Sequence, residues 1–167
     1  MYGAGGRCVH TNVVQGHTVI LLIDTDPGLD DAVALLLALG TPGVDVIGIS
    51  TVGGNTSCAH TTRNALRLLE LVGRSDIPVA SGYDIPYGRE KRETGVFVHG
   101  RDGFAEVDLP EPHVDVVSTD APEFLAQTIA ASDEPVTLVT LGPLTNIAHM
   151  LDRFPDVRPD RKSTRLN

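Results

Sequence analysis

Two cysteines, Cys8 and Cys58, are all that this 167-residue chain holds, and no C-x-x-C spacing joins them. That scarcity excludes a disulfide framework and a thiolate zinc site. The expectation is two ordinary thiols in a reducing compartment. Lysine and arginine are also few, 13 against 22 aspartates and glutamates, for a formal charge of −9. A surface this acidic is poorly suited to nucleic acid or to an anionic membrane, so neither is expected as a partner, although a small phosphate- or sugar-bearing substrate remains open. No apolar run is long enough to span a bilayer. Residues 1–17 are Gly-rich and polar and lack the apolar segment of a signal peptide. They read as a disordered leader, and the expected location is the cytoplasm.

What is present is a globular composition, 41% hydrophobic, long enough for one domain with a real core over residues 18–157. Thr18–Ile23 is a continuous apolar run rich in β-branched residues, the signature of a strand buried on both faces. Pro27 and Gly28 break it, and Asp30–Leu39, rich in Ala and Leu, predicts a helix closed by Gly40–Gly43. Val44–Val52 predicts a second strand, Gly53–Asn55 a tight turn, and Thr56 or Ser57 a cap for a helix over Ala59–Val72. That helix repeats Ala65, Leu68, Leu69 and Val72 on one face. Ile77–Ala80 predicts a short third strand. Gly82–Pro112 shows no clear element. Asp120 is placed to cap a helix over Pro122–Ala131, Pro135–Leu141 predicts a strand, and Leu144–Leu151 a helix. The alternation predicts an α/β fold, an open and mostly parallel sheet flanked by helices. Ligands of such sheets bind beyond the carboxyl ends of the strands. The turns Asp24–Asp31, Gly53–Asn55 and Leu141–Asn146 should therefore share one edge.

The first of those turns carries Asp24, Asp26, Asp30 and Asp31 within eight residues. Anions so close raise each other's pKa and destabilise the fold. A hard divalent cation such as Ca²⁺ or Mg²⁺, which takes oxygen ligands, resolves the conflict. Helix capping accounts for Asp30 or Asp31 but leaves Asp24 and Asp26 unexplained. The aspartyl-phosphate phosphatase pattern D-x-D-x-T/V is a rival, with Asp24 as nucleophile and Asp26 as acid. Its fifth position is Gly28 here, and two further aspartates follow at once. Asn146 and Asn64 read as structural, Asn146 bonding nearby backbone, and His60, His113 and His149, with no partner visible in the sequence, read as surface residues.

The stretch Asp24-Thr25-Asp26-Pro27-Gly28-Leu29-Asp30-Asp31-Ala32 resembles the amino-terminal signature of the inosine/uridine-preferring, calcium-dependent nucleoside hydrolases. Three more segments fall in the family's order: Val52-Gly53-Gly54-Asn55, Val98-His99-Gly100-Arg101-Asp102-Gly103, and Leu141-Gly142-Pro143-Leu144-Thr145-Asn146-Ile147-Ala148. The resemblance implies one Ca²⁺ held by Asp26, Asp31 and the backbone carbonyl of Leu141, with Asp30 and Asn55 on ribose hydroxyls and Asp24 orienting the loop from behind. His99 is a candidate for the base pocket, and the glycines around Arg101-Asp102 suggest a mobile lid. The implied chemistry is hydrolysis of the N-glycosidic bond of a ribonucleoside to ribose and free base. Asp26 takes a proton from the attacking water, and an oxocarbenium-like transition state follows, as in an inverting glycosidase. The implied partners are a nucleoside substrate and, in the whole enzyme, further copies of itself.

The family's leaving-group histidine and a further metal-binding aspartate lie in a part of the fold that these motifs do not include. Arg158–Asn167 is polar, basic and aperiodic and reads as a non-native tail. The chain is therefore expected to be the amino-terminal portion of a longer hydrolase, inactive by itself. A ribose- or metal-binding remnant without catalysis is the alternative.

Overall fold

The computed structural model describes residues 18–90 and 96–157. The expected leader, the basic tail and Cys8 lie outside the described residues. In chain order the elements are β1 (Val19–Thr25), α1 (Leu29–Gly40), β2 (Val44–Thr51), α2 (Cys58–Leu71), β3 (Val79–Ser81), a short α3 (Val96–His99), α4 (Ala121–Ala131), β4 (Val136–Thr140), α5 (Thr145–Arg153) and a 3₁₀ turn at Pro155–Val157. The four strands form one sheet in the order β3-β2-β1-β4, and every pairing is parallel. The α/β expectation holds.

Strand period 2 sends alternate side chains of β1 to opposite faces. Ile23 packs with Leu35 of α1 and with Ala65, Leu66 and Leu69 of α2. Leu22, its neighbour, packs with Leu125 and Ala126 of α4 and Met150 of α5. Each face of the sheet thus has its own core, which is why the Thr18–Ile23 run shows no polar alternation. Of the face predicted for α2, Ala65, Leu68 and Leu69 are buried, whereas Val72 is the exposed C-cap residue. Ser57 caps α2 by accepting the His60 N–H. Asp120 caps α4 by accepting that of Glu123, and the Arg153 guanidinium grips both of its carboxylate oxygens at 2.7 and 2.8 Å.

β1 lies between β2 and β4, so the chain leaves it towards β2 on one side and β4 returns on the other. This reversal of strand order opens a crevice at the carboxyl end of β1. Backbone bonds close its walls: Val52 N–H to Thr25 O at 3.0 Å and Leu141 N–H to Asp24 O at 2.8 Å. The three turns do share one edge. Among the described residues, no helix is long and apolar enough to cross a membrane.

Candidate active site

The backbone sorts the four aspartates into different surroundings. β1 runs two residues further than its apolar run predicts, so Asp24 lies inside the strand and its side chain is fully buried. Its Oδ1 accepts from Ser50 Oγ at 2.5 Å and Asn146 Nδ2 at 2.8 Å, while Oδ2 has no partner. Burial pushes its pKa from 3.8 up to about 6, against the pull of those two hydrogen bonds.

Asp26 begins the loop and is 5% exposed. Its Oδ2 accepts the Asn55 N–H at 2.7 Å. The Asn55 amide returns the bond, donating to Asp26 O at 3.0 Å and to Asp31 Oδ2 at 3.1 Å. Burial raises the Asp26 pKa to about 7; the Asn55 N–H opposes the rise, and the charges of Asp31 and Asp30 add to it. Asp31, buried in the first turn of α1, accepts from Thr25 Oγ1 at 2.6 Å and from the N–H of the N-cap Gly28 at 3.4 Å. It therefore serves the helix start and faces Asn55 as well. Asp30 is exposed, with its Oδ1 3.8 Å from His99 Nδ1.

Two glycines make room for the Asp26 carboxylate. A Cβ on Gly54 would lie 2.1 Å from Asp26 Oδ2, and one on Gly142 would lie 2.6 Å from Oδ1. Gly54→Ala should therefore cost about 1–3 kcal/mol in a thermal melt, the usual range for overpacking. Gly40→Ala, where a Cβ meets nothing within 4 Å, should stay within about 0.5 kcal/mol. Equal losses at the two positions would refute this account of the cradle.

The donors gathered here are carboxylate and carbonyl oxygens, which suit a hard cation rather than zinc or copper. Asp31, Leu141, Asp30 and Ala34 line an open depression of about 140 Å³, so the structure does bring Leu141 beside Asp31. Asp24 Oδ2 is buried without a partner, and neighbouring Asp31 and Asp30 charges help to raise the Asp26 pKa, so a cation here would relieve mutual repulsion. The residues therefore fit a divalent cation, though as part of a shell. Ca²⁺ takes about six to eight oxygens, and among the described residues no group of three or more His, Cys, Asp or Glu side chains is placed to hold a metal.

The family model described as inosine-uridine preferring nucleoside hydrolase matches residues 21–164. The chain is a member of that family. It is 44% identical over 137 residues to a probable uridine nucleosidase 2 of Arabidopsis thaliana, covering 81% of this chain and 42% of the relative. A purine-preferring ribonucleoside hydrolase from Gardnerella vaginalis superposes with a TM-score of 0.78 at 30% identity, covering 82% of this chain and 44% of that one. A plant nucleoside hydrolase, PpNRh1, gives a TM-score of 0.71 at 40% identity, covering 83% and 44%. The chain thus spans less than half the length of the relatives it matches.

Within this nucleoside hydrolase chain, full burial of Asp24 removes the phosphatase alternative, because a nucleophile must reach substrate. Asn146 is more than a turn residue bonding nearby backbone. It is fully buried, and besides holding Asp24 it donates to Thr51 O at 2.9 Å and accepts the Tyr83 N–H at 3.1 Å. One amide thereby ties β1, β2 and the segment after β3 together. Of the histidines read as surface residues, His113 is exposed as expected, while His60 and His149 are half-buried, and each has a neighbour that the sequence does not show. His60 lies 3.1 Å from Thr56 Oγ1, exposed His113 pairs with Glu70, and His149 stacks on Tyr83 with ring centroids 3.8 Å apart. His99 is no solvent-facing loop histidine. Its side chain is 12% exposed, and its Nδ1 accepts the Leu29 N–H at 3.4 Å.

The Gly-flanked segment after His99 is not the untethered lid its glycines suggest. Phe104 is buried in the α1/α2 core. Asp102 Oδ1 accepts the N–H groups of Phe104 and Glu106 at 2.9 and 3.0 Å, and Thr56 Oγ1 donates to Arg101 O at 2.7 Å.

Proposed function

We propose that the protein hydrolyses the N-glycosidic bond of ribonucleosides, releasing ribose and free base, and that Ca²⁺ is its cation. The observation that carries this reading is the Asp26–Asn55–Asp31 bridge at the carboxyl edge of the sheet, with a depression between Asp31 and Leu141. Asp26, Asp31 and the Leu141 carbonyl would hold the ion, which lowers the pKa of bound water. Asp26 accepts the proton of the attacking water. Its oxygens lie beside the Asn55 N–H and the Gly54 and Gly142 backbone at the carboxyl edge of the sheet, where an attacking water would be held. Asp30 and Asn55 engage ribose hydroxyls from the rim, and His99, opposite Asp30, borders the space for the base. Asp24 fixes the loop from beneath. Because the chain covers less than half of its relatives, the leaving-group acid belongs to the rest of the fold. The buried free thiol of Cys58 fits the cytoplasm we propose as the compartment.

The relatives named above include a uridine nucleosidase and a purine-preferring enzyme, so both base classes belong in the test. The intact gene product should release reducing sugar from inosine or uridine, lose that activity in chelator and regain it with Ca²⁺. Turnover that survives chelation would overturn the cation role. Calcium-dependent stabilisation without turnover would point instead to a binding remnant.

A further inference from the structure

Asn64, on α2, is fully buried, and its hydrogen bonds go to backbone carbonyls rather than to the four aspartate side chains. Its Nδ2 donates to Pro27 O at 3.1 Å and to Asp102 O at 2.7 Å. Pro27 lies in the aspartate loop, between Asp26 and Asp30. Asp102 lies in the segment that follows His99. Both neighbours are carbonyl oxygens, so only the amide NH₂ can face them, and its two hydrogens are both used. The amide oxygen has no partner, an unfavourable burial tolerated beside two made bonds.

The segment joined in this way does not hold its shape for free. Ala105 and Glu106 have φ of 52° and 57°, and Gly100 and Gly103 have φ of 74° and 91°. Left-handed backbone at two non-glycine residues persists only where surrounding contacts enforce it. Inside the segment, Ala105 N–H donates to His99 O at 2.8 Å and Arg101 N–H to Glu106 Oε1 at 2.8 Å. These bonds fix the segment's own form but not its place against the aspartate loop. Besides the Leu29 N–H bond to His99 and the Thr56 bond to Arg101, Asn64 alone among the described residues bonds both the aspartate loop and the segment through one side chain.

Resting on the hydrolase reading above, we propose that Asn64 is a positioning residue for the substrate site: its amide pins the aspartate loop and the His99 segment together, so that His99 faces Asp30 across the rim. It acts through two loops and needs no contact with substrate.

The test compares Asn64→Ala, Asn64→Asp and Leu125→Ala in the full chain by hydrogen exchange, and in the intact gene product by steady-state kinetics. Asn64→Asp keeps the side-chain shape but donates no hydrogen and sets a carboxylate oxygen against two carbonyls. Leu125 lies in the opposite core and controls for lost stability alone. Both Asn64 variants should speed exchange of the Arg101, Phe104, Ala105 and Glu106 amides by at least about tenfold, consistent with losing two buried bonds, with α4 and α5 unchanged. They should raise KM for nucleoside by about tenfold or more with a smaller change in kcat, whereas Leu125→Ala should lower the melting temperature without that split. Unchanged exchange in 101–106, or an Asn64→Asp variant that behaves like the parent, overturns the proposal. If the parent enzyme shows no turnover, the hydrolase reading falls and the exchange comparison still decides the role of Asn64.

Discussion

Asp26→Asn in the intact gene product should lower kcat/KM for inosine and uridine by about a thousandfold or more, whereas Asp24→Asn should cost less than about tenfold. A positioned general base contributes about 10²–10⁴ in rate, and asparagine neither accepts the proton nor offers the anionic oxygen a cation requires. A thousandfold is about 4 kcal/mol of transition-state stabilisation. The substitution is isosteric, and the amide oxygen can still accept the Asn55 N–H now held at 2.7 Å, so the fold should survive. At Asp24 the oxygen that accepts from Ser50 and Asn146 is also kept by asparagine. Burial raises its pKa to about 6, so neutralising the side chain removes a buried charge and should cost the fold little. Kinetics on the two variants separates the roles. A loss at Asp24 as large as at Asp26 would place Asp24 in the chemistry and overturn its supporting role.

Much of this was legible in the sequence because it depends on neighbours along the chain. The Thr18–Ile23 run, the Pro27-Gly28 break and the Ala/Leu-rich stretch after it define strand, turn and helix locally. Parallel topology then brings the turns ending at Asp31, Asn55 and Asn146 to one edge. The different surroundings of the four aspartates were not legible, since spacing does not say which carboxylate is buried; the roles proposed for them come from the family resemblance. Asn146 lies 122 residues from Asp24 and carries no local mark of its clamp. Ser50 and Thr25 are ordinary strand residues until the fold turns their hydroxyls onto Asp24 and Asp31. The glycines at 100 and 103 read as freedom, yet they supply the left-handed backbone that lets Phe104 enter the core. Long-range packing decides that, and no window of the sequence contains it.

In chelator the chain should grow less stable as pH rises from about 4 to about 7, and Ca²⁺ should reverse the trend. In the fold, burial sets Asp24 near 6 and Asp26 near 7, both above the ordinary 3.8 that the unfolded chain regains. Between those values the native state binds more protons than the unfolded one, so stability falls with pH. Below about 4 both states are protonated, and this contribution is fully retained. Above about 7 both are ionised, and it has been lost. At about 1.4 kcal/mol per pKa unit, the two groups together set an upper bound of roughly 7 kcal/mol on the fall, which solvent screening reduces. A divalent cation competes with the proton for the same oxygens, so its stabilisation should grow over the same interval. At a hundredfold excess over Kd it is worth about 2.7 kcal/mol near pH 7.5, and much less at pH 5. Urea titrations across pH 4.5–8, with Ca²⁺ and with chelator, measure both effects. Asp26→Asn should flatten the upper part of the pH curve and remove most of the calcium gain. Stability that rises from pH 5 to 7 in chelator, or a calcium gain equal at both ends, would mean that the buried aspartates are compensated by something other than a proton or a cation.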